Sequence, residues 1–315
     1  MTESATQNPT GMEGSVIVHG RSLAEMVRDH AMWLENNPAG RRATLKGLTL
    51  NDVRMPGANL RMAMLEGATM LDADLGNCDL SQSAMAGCDL ERALLSGADL
   101  SGADLMEAKL QFVLMMGAGL SEAKLHKALL RHAKLQRARF QDASLQESSL
   151  RSADLTDSAF HQARIHDCDF SEATVERTIF MGAKIHLSRF RGLSGYNVNF
   201  STARIDSTDF TRSEIPEAIF QRAMCNRSNF HASDLTDADF RGAQLKGADL
   251  SRAKLTRARF GNAAFSGTDL RGADLKGARE MTGEQLMQAL TDDRTILPNG
   301  ARGPYIRYSK AERPA

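Results

Sequence analysis

The chain has 315 residues, 42% of them hydrophobic, and its 39 Lys and Arg residues balance its 39 Asp and Glu residues. This length supplies a sizeable core, and the zero net charge argues against a general binder of polyanions. No run of 18 apolar residues is present and the opening MTESATQNPTGMEG lacks a signal-peptide layout, so we expect a cytoplasmic protein that does not enter a membrane.

The first predicted elements are a disordered tail over 1–20 and a capping helix over 21–40. The sequence Ser22-Leu23-Ala24-Glu25 has the form of a capping box, which satisfies two backbone N–H groups at a helix start. Helical apolar spacing follows at Leu23, Met26, Val27, His30, Ala31 and Leu34. A helix this short is not stable alone, so we expect it to dock on the segment that follows, with Trp33 in the contact.

A five-residue repeat occupies residues 41–280. From Leu45 to Leu275 every fifth residue is large and apolar through 47 units, with 24 Leu, 12 Phe, four Met, four Ile, one Val and one Cys; Gly195 is the exception. Two residues earlier the side chain is small, and Ala fills 29 of the 47 places. We call the large residue of each unit its core residue.

A period of five fits neither regular secondary structure. On an α-helix five residues turn the chain by about 500°, so the core residues would scatter around the axis. On a flat strand an odd step sends successive core residues to opposite faces. A coil with a corner in every unit can bury them all, and the 14 Gly found two places after a core residue mark such corners, where a positive φ is cheap.

The unit Ala98-Asp99-Leu100-Ser101-Gly102 shows the frame of small, polar, large, variable and often Gly residues. This frame resembles the pentapeptide-repeat family from Arg41 to about Ala278. The resemblance implies an all-β solenoid, a right-handed quadrilateral parallel β-helix with four pentapeptides per coil. The repeats would then form about 12 coils and a rod of roughly 55 Å, with short N- and C-terminal capping helices.

The core composition changes along the repeats. From Phe160 to Phe240 a Phe recurs every ten residues, so rings should face each other from opposite sides, and the coil should be wider or differently turned there than in the Leu-rich first half. We expect Leu193 to fill the space at Gly195, with a bulge over 192–197. The cysteines occupy inward positions without zinc-site spacing, which predicts buried, reduced thiols at Cys78, Cys88, Cys168 and Cys225.

The last predicted elements, over 281–315, are a second capping helix and an extended tail. Thr282 to Gln285 again has the form of a capping box, and Met281 and Leu286 occupy the positions of a hydrophobic staple. We expect this helix to end near Leu290.

Function must come from outward positions, because the inward ones are committed to packing. One outward set is apolar, and Phe112 is the single Phe outside the core positions. Such clusters often mark contact sites, which favours self-association or docking of a partner. We call this set the apolar patch: Leu94, Phe112, Leu114, Met116 and Leu129.

A second outward set is basic, because a step of 20 residues stacks like positions on successive coils. We call it the anion-facing column: Lys124, His126, Arg164, His166, Lys184, His186 and Arg204. Cations about 5 Å apart repel each other by roughly 1 kcal/mol per pair in water, so this face either meets an anionic partner or is simply solvated. Two stacked histidines without a third ligand do not predict a metal site.

Charge also divides along the rod. Residues 66–107 carry nine acids against Arg92 alone, and residues 109–139 carry seven basic residues against Glu122. This banding suits association with a dipolar partner, although drift in surface composition would look the same.

No catalytic motif, phosphate-binding loop or cofactor motif is present, so we expect no enzymatic activity and no cofactor. The favoured hypothesis is a protein–protein interaction scaffold whose partner is another protein, with a homodimer as one form. The family resemblance implies an alternative, a DNA mimic that modulates or protects a type II topoisomerase such as gyrase. A third hypothesis is nucleic-acid binding through the basic face, which the neutral net charge disfavours.

Overall fold

The computed structural model describes residues 17–18 and 20–314, so most of the predicted 1–20 tail lies outside the described residues. Within that tail Ile17–Val18 (β1) pairs antiparallel with Arg21–Ser22 (β2), a pairing that the tail prediction did not include. The N-terminal helix α1 spans Leu23–Leu34, and the predicted capping box at Ser22 is present with both of its hydrogen bonds. Neither helix in the described part of the chain has the length and apolarity to span a bilayer.

The repeats wind into a four-sided parallel β-helix. Bridges join residues 20 positions apart, from Thr44 and Met64 at the first coil to Arg259 and Arg279 near the last, so each coil holds four pentapeptides. Adjacent coils are joined by backbone hydrogen bonds such as that from Leu45 N–H to the Met64 carbonyl at 2.7 Å. The core residues and the small residues before them form one continuous buried column.

Every unit turns its corner through a left-handed residue. The residue two places after the core residue has a positive φ in all 47 units. Glycine occupies 14 of these corner positions, as predicted, and 33 carry a side chain in the same conformation. The left-handed conformation costs most side chains about 1–2 kcal/mol, and the inter-coil hydrogen bonds and buried core offset that cost.

One side of the rod has longer strands than the other three. Strands β3 (Ser144–Gln146), β4 (Arg164–His166), β5 (Lys184–His186) and β6 (Arg204–Asp206) form a parallel four-stranded sheet. At the corner after β4 the Cys168 N–H donates to the hydroxyl oxygen of Ser188 on the next coil, at 3.1 Å. The prediction of differently turned coils in the second half is confirmed at this corner.

Phenylalanine rings fill the second half of the core from two opposite sides. Rings one coil apart on the same side stack, as for Phe160 and Phe180 at 4.9 Å between centroids. Rings ten residues apart meet edge to face, as for Phe160 and Phe170 at 5.9 Å. Both geometries are favoured for aromatic pairs, and they confirm the predicted arrangement of rings across the core.

The single lapse in the core pattern does not break the coil. Leu193 is buried, as predicted. The hydrogen bonds between coils nevertheless continue where the bulge was predicted, because Gly195 N–H donates to the Glu214 carbonyl at 3.1 Å. Gly195 has a φ of 150°, and a Cβ there would lie 2.6 Å from the backbone nitrogen of Glu176. Leu193 therefore fills the core while Gly195 lets the coils approach without an inserted residue.

Both ends of the rod are closed by a helix that delivers one buried polar side chain. In α1 the ring of His30 accepts from Ala43 N–H at 3.0 Å and donates to the Arg61 carbonyl at 2.9 Å. In α2 (Gly283–Gln288) the amide nitrogen of Gln285 donates to the carbonyls of Phe260 and Ala263. These bonds satisfy backbone groups that an open coil end would leave unpaired.

The C-terminal segment differs from the predicted helix and extended tail. Helix α2 begins at the predicted capping box but ends at Gln288, two residues before the expected Leu290. The chain then adds a partial coil, in which the Leu290 and Ile296 carbonyls accept from Leu270 and Leu275 N–H at 2.8 Å each. The segment is therefore held by the same ladder bonds as the repeats.

Candidate interaction surfaces

The outward side chains form columns, because residues 20 positions apart are bridge partners on successive coils. The apolar patch lies mainly on one side of the rod, which we call the patch side. Over six successive coils the patch side consists of residues 54–56, 74–76, 94–96, 114–116, 134–136 and 154–156. On this side the structure places Leu94 against Leu114 as bridge partners and Met116 beside them. Leu129 lies on the neighbouring side, where its bridge partner is Lys109.

Three patch residues are exposed large apolar side chains. Leu94 is 40% exposed, Met116 46% and Phe112 50%. Phe112 occupies the corner that borders the patch side, with a φ of 58°, and its ring stacks on His132 at 5.0 Å and 9°. A bulky ring is therefore held at the surface in a conformation that disfavours it.

Charged side chains flank the patch above and below. One column of the patch side reads, coil by coil, Arg54, Asp74, Leu94, Leu114, Lys134 and Asp154. Arg54 and Asp74 form no ion pair with any described residue, and Lys134 approaches Asp154 at 3.7 Å. At the adjoining corner the Arg92 guanidinium binds the Asp72 carboxylate at 2.8 Å and lowers the pKa of that carboxyl. The sequence analysis did not include these flanking charges, although their spacing of 20 already aligned them with Leu94.

The anion-facing column lies on the side that carries β3 to β6. Arg164, Lys184 and Arg204 are successive bridge partners there, and the rings of His166 and His186 stack at 5.4 Å and 7°. Lys124 and His126 continue the column one coil below Ser144 and Gln146. None of its four Lys and Arg side chains is ion-paired with another described residue.

The acidic segment over 66–107 is partly neutralised. Of its nine acids, Glu66, Asp72, Asp89 and Glu91 form ion pairs with Lys46, Lys109 or Arg92. The remaining acids lie on different sides of the rod, because their positions do not differ by multiples of 20 residues throughout.

The described residues contain no cluster of three or more His, Cys, Asp or Glu side chains that could hold a metal ion. The four cysteines are buried and unpaired, as predicted. Burial raises the pKa of Cys78 to about 11 and that of Cys168 to about 12, so these thiols stay protonated at neutral pH.

A shallow cleft of about 420 Å³ lies where the final partial coil meets the repeats. It is lined by His231, Ser251, Arg252, Asp269, Arg271, Gly272, Asp292 and Arg294. Within it Arg271 is already paired with Asp269 at 2.6 Å. Sequence reasoning missed this cleft, because Arg294 reaches it from outside the repeats.

Comparison with known proteins identifies repeats over most of the rod. A family model described as pentapeptide repeats matches eight copies, at residues 73–111, 118–157, 217–252 and 243–279, and one described as a pentapeptide repeat region matches residues 143–220. None of the curated proteins matches the chain.

Solved structures of repeat rods are also similar to this chain. HetL, a pentapeptide repeat protein involved in heterocyst differentiation regulation from the cyanobacterium Nostoc sp. strain PCC 7120, is 23% identical over 85% of this chain and 97% of its own, with a TM-score of 0.44. QnrB1, a plasmid-mediated fluoroquinolone resistance protein, is 16% identical over 78% of this chain and 89% of its own, with a TM-score of 0.22. Rfr23 from the cyanobacterium Cyanothece 51142 is 26% identical over 36% of this chain and 83% of its own, with a TM-score of 0.16.

Proposed function

Because this chain belongs to the pentapeptide-repeat family and folds as a right-handed quadrilateral β-helix, we propose that it is a non-catalytic scaffold that binds another protein through the apolar patch. The observation that carries this proposal is Phe112, a half-exposed ring at a left-handed corner. Its ring lies outside the core: Phe112 is half exposed, whereas the core residues on either side of it, Leu110 and Met115, are fully buried.

The corner position makes Phe112 informative. Glycine, Asn, Asp and other polar residues fill almost all corners of the rod, and the left-handed conformation suits them at least as well as Phe. Folding alone therefore does not call for an aromatic side chain here. A ring that is half exposed, stacked on His132 and two residues from Leu114 has the properties of an interface anchor, since aromatic residues surrounded by apolar contacts dominate binding energies at protein interfaces.

The rim of the patch supports a protein partner more than a small ligand. The patch is raised and flat, with no enclosed volume around it among the described residues, and charged columns border it. Protein interfaces commonly combine an apolar centre with a polar, charged rim.

The test replaces Phe112 with the photo-crosslinking residue benzoylphenylalanine in the native host. Position 187 is the matched control, because Leu187 is also 50% exposed at a left-handed corner, with a φ of 51°, on another side of the rod. We expect a discrete adduct from position 112 that Leu94→Asp abolishes, and no such adduct from position 187. Equal labelling from both positions, or none from position 112, would refute the proposal.

A second candidate function uses the anion-facing column to bind an anionic surface. The observation in its favour is the run of three cations at Arg164, Lys184 and Arg204 on adjacent strands, none of which is ion-paired with a described residue. A mobility-shift assay at low salt should give a complex with nucleic acid that Arg164→Glu removes and Arg189→Glu, at an exposed arginine on another side, retains. The absence of any shift at micromolar protein would exclude this candidate. No observation favours the topoisomerase alternative, which stays a prediction.

A further inference from the structure

The column through the centre of the patch side has complementary halves. Its six residues are bridge partners on successive coils, in the order Arg54, Asp74, Leu94, Leu114, Lys134, Asp154. Outward from Leu94 the column presents Asp74 and then Arg54, whereas outward from Leu114 it presents Lys134 and then Asp154. At each distance from the centre the two halves therefore carry opposite charges. A straight column with this property is complementary to its own reversed copy.

We propose that the protein bound by the apolar patch is a second copy of this chain, lying antiparallel along the patch side; this inference rests on the proposed function of the patch. The two-fold axis would cross the column midway between Leu94 and Leu114, perpendicular to the rod. It would set Leu94 against Leu114 of the second copy, Asp74 against Lys134, and Arg54 against Asp154. Such an isologous contact makes every pair twice.

The neighbouring columns fit the same axis. Beside the leucines the side chains read Pro56, Gly76, Ser96, Met116, Gln136 and Thr156. The axis sets Met116 against the small Ser96 and sets Gln136 against Gly76, so bulky side chains meet recesses. At the bordering corner it sets the ring of Phe112 against Arg92 of the second copy, a pairing that suits a cation–π contact. No like charges face each other in these columns.

The charges at this surface differ in how free they are for a second copy. Asp154 is only 23% exposed and already accepts from Thr156 and Gln136, and one oxygen of Asp74 accepts from Gly76 N–H at 3.1 Å, so an incoming Arg54 would share the carboxylate of Asp154. Arg54 is exposed, and neither it nor Asp74 is ion-paired with a described residue. Lys134 is 52% exposed and its distance of 3.7 Å from Asp154 makes that contact a loose one. Because both copies have the same spacing of about 4.8 Å between coils, an antiparallel rod stays in register over all six levels.

The side of the anion-facing column does not have this property at the same height. The corresponding column on the side of the anion-facing column reads Thr44, Met64, Ala84, Asp104, Lys124 and Ser144. Residue 104 lies midway between Leu94 and Leu114 along the rising coil, so a two-fold axis at the same height would set Asp104 against its own copy and Lys124 against Ala84. This would bring like charges together and leave a lysine without a partner.

The size of the contact sets the expected affinity. Six coils span about 29 Å and a side with its corner about 16 Å, so each copy would cover roughly 460 Å² and the pair about 900 Å². This area is below that of standard stable interfaces. We therefore expect a dimer that dissociates in the micromolar range rather than an obligate one.

The experiment is sedimentation equilibrium of the full chain with two single variants and their mixture. Asp74→Lys puts a lysine opposite Lys134 of the second copy, and Lys134→Asp puts an aspartate opposite Asp74, each twice per dimer. We expect each variant alone to dimerise at least about tenfold more weakly than the unaltered chain. In the equimolar mixture both pairs become complementary, so the mixed dimer should recover to within about threefold of the original affinity.

Both variants must retain the unfolding midpoint of the unaltered chain, and Arg189→Glu serves as a charge control on another side. An unaltered chain that stays monomeric to about 100 µM, or a mixture no tighter than the single variants, would overturn the antiparallel dimer. If a different protein is then crosslinked from position 112, the proposed docking function of the patch still holds. If position 112 gives no adduct at all, the proposed function fails as well.

Discussion

Replacing Phe112 with Asn separates a binding role from a structural role for this ring. Full burial of a Phe side chain contributes about 1.5–3 kcal/mol, so a ring that is 50% exposed contributes about 1 kcal/mol. Its stack on His132 adds about 0.5 kcal/mol at this exposed site. Asn tolerates the left-handed corner and recovers about 1 kcal/mol. The expected loss in the free energy of unfolding is therefore only about 0.5 kcal/mol.

The assay is urea unfolding followed by circular dichroism, at a protein concentration low enough to keep the chain monomeric, because a dimer would add stability by mass action. Phe190→Ala is the reference for a structural ring. Phe190 is fully buried and stacks on Phe170 at 4.5 Å, so its removal should cost about 3–5 kcal/mol. A loss above about 2 kcal/mol for Phe112→Asn would show that the ring is structural and would refute the reasoning behind the patch.

Two further predictions test the rod and its N-terminal cap. Gly195→Ala should cost more than about 3 kcal/mol because its Cβ meets the backbone of Glu176, whereas Gly67→Ala, in open space, should cost about 1 kcal/mol; equal losses in urea would contradict this. Burial lowers the pKa of His30, so the neutral ring contributes stability above its ordinary pKa of 6.5 that is lost as the pH falls through the lowered value. The protection factor of Ala43 N–H against hydrogen exchange should therefore fall below pH 6.5, and an unchanged protection factor would exclude this role.

Most of the fold could be predicted from the sequence because the repeat is local. A large residue every fifth position and a small one two places before it decide which side chains point inward, and one unit contains all of that information. The capping boxes at Ser22 and Thr282 are equally local, since each joins residues three positions apart. The exposed position of Phe112 followed from the same rule, because it lies outside the core positions.

The candidate site could be predicted only in part. The five apolar residues and the anion-facing column could be predicted as outward positions. The role of the flanking charges Arg54, Asp74, Lys134 and Asp154 could not, because it depends on how the coils stack and on which charges are already ion-paired.

The sequence by itself determined the five-residue turn, the buried column and the placement of a helix at each end. Only the tertiary structure decided that all 47 corners are left-handed, that His30 and Gln285 close the coil ends, and that the C-terminal segment adds a partial coil. The physical reason is the range of the interactions. A repeat is specified by contacts within one unit, whereas caps, ion pairs and the shape of a binding surface come from residues that are distant in the chain and follow no period.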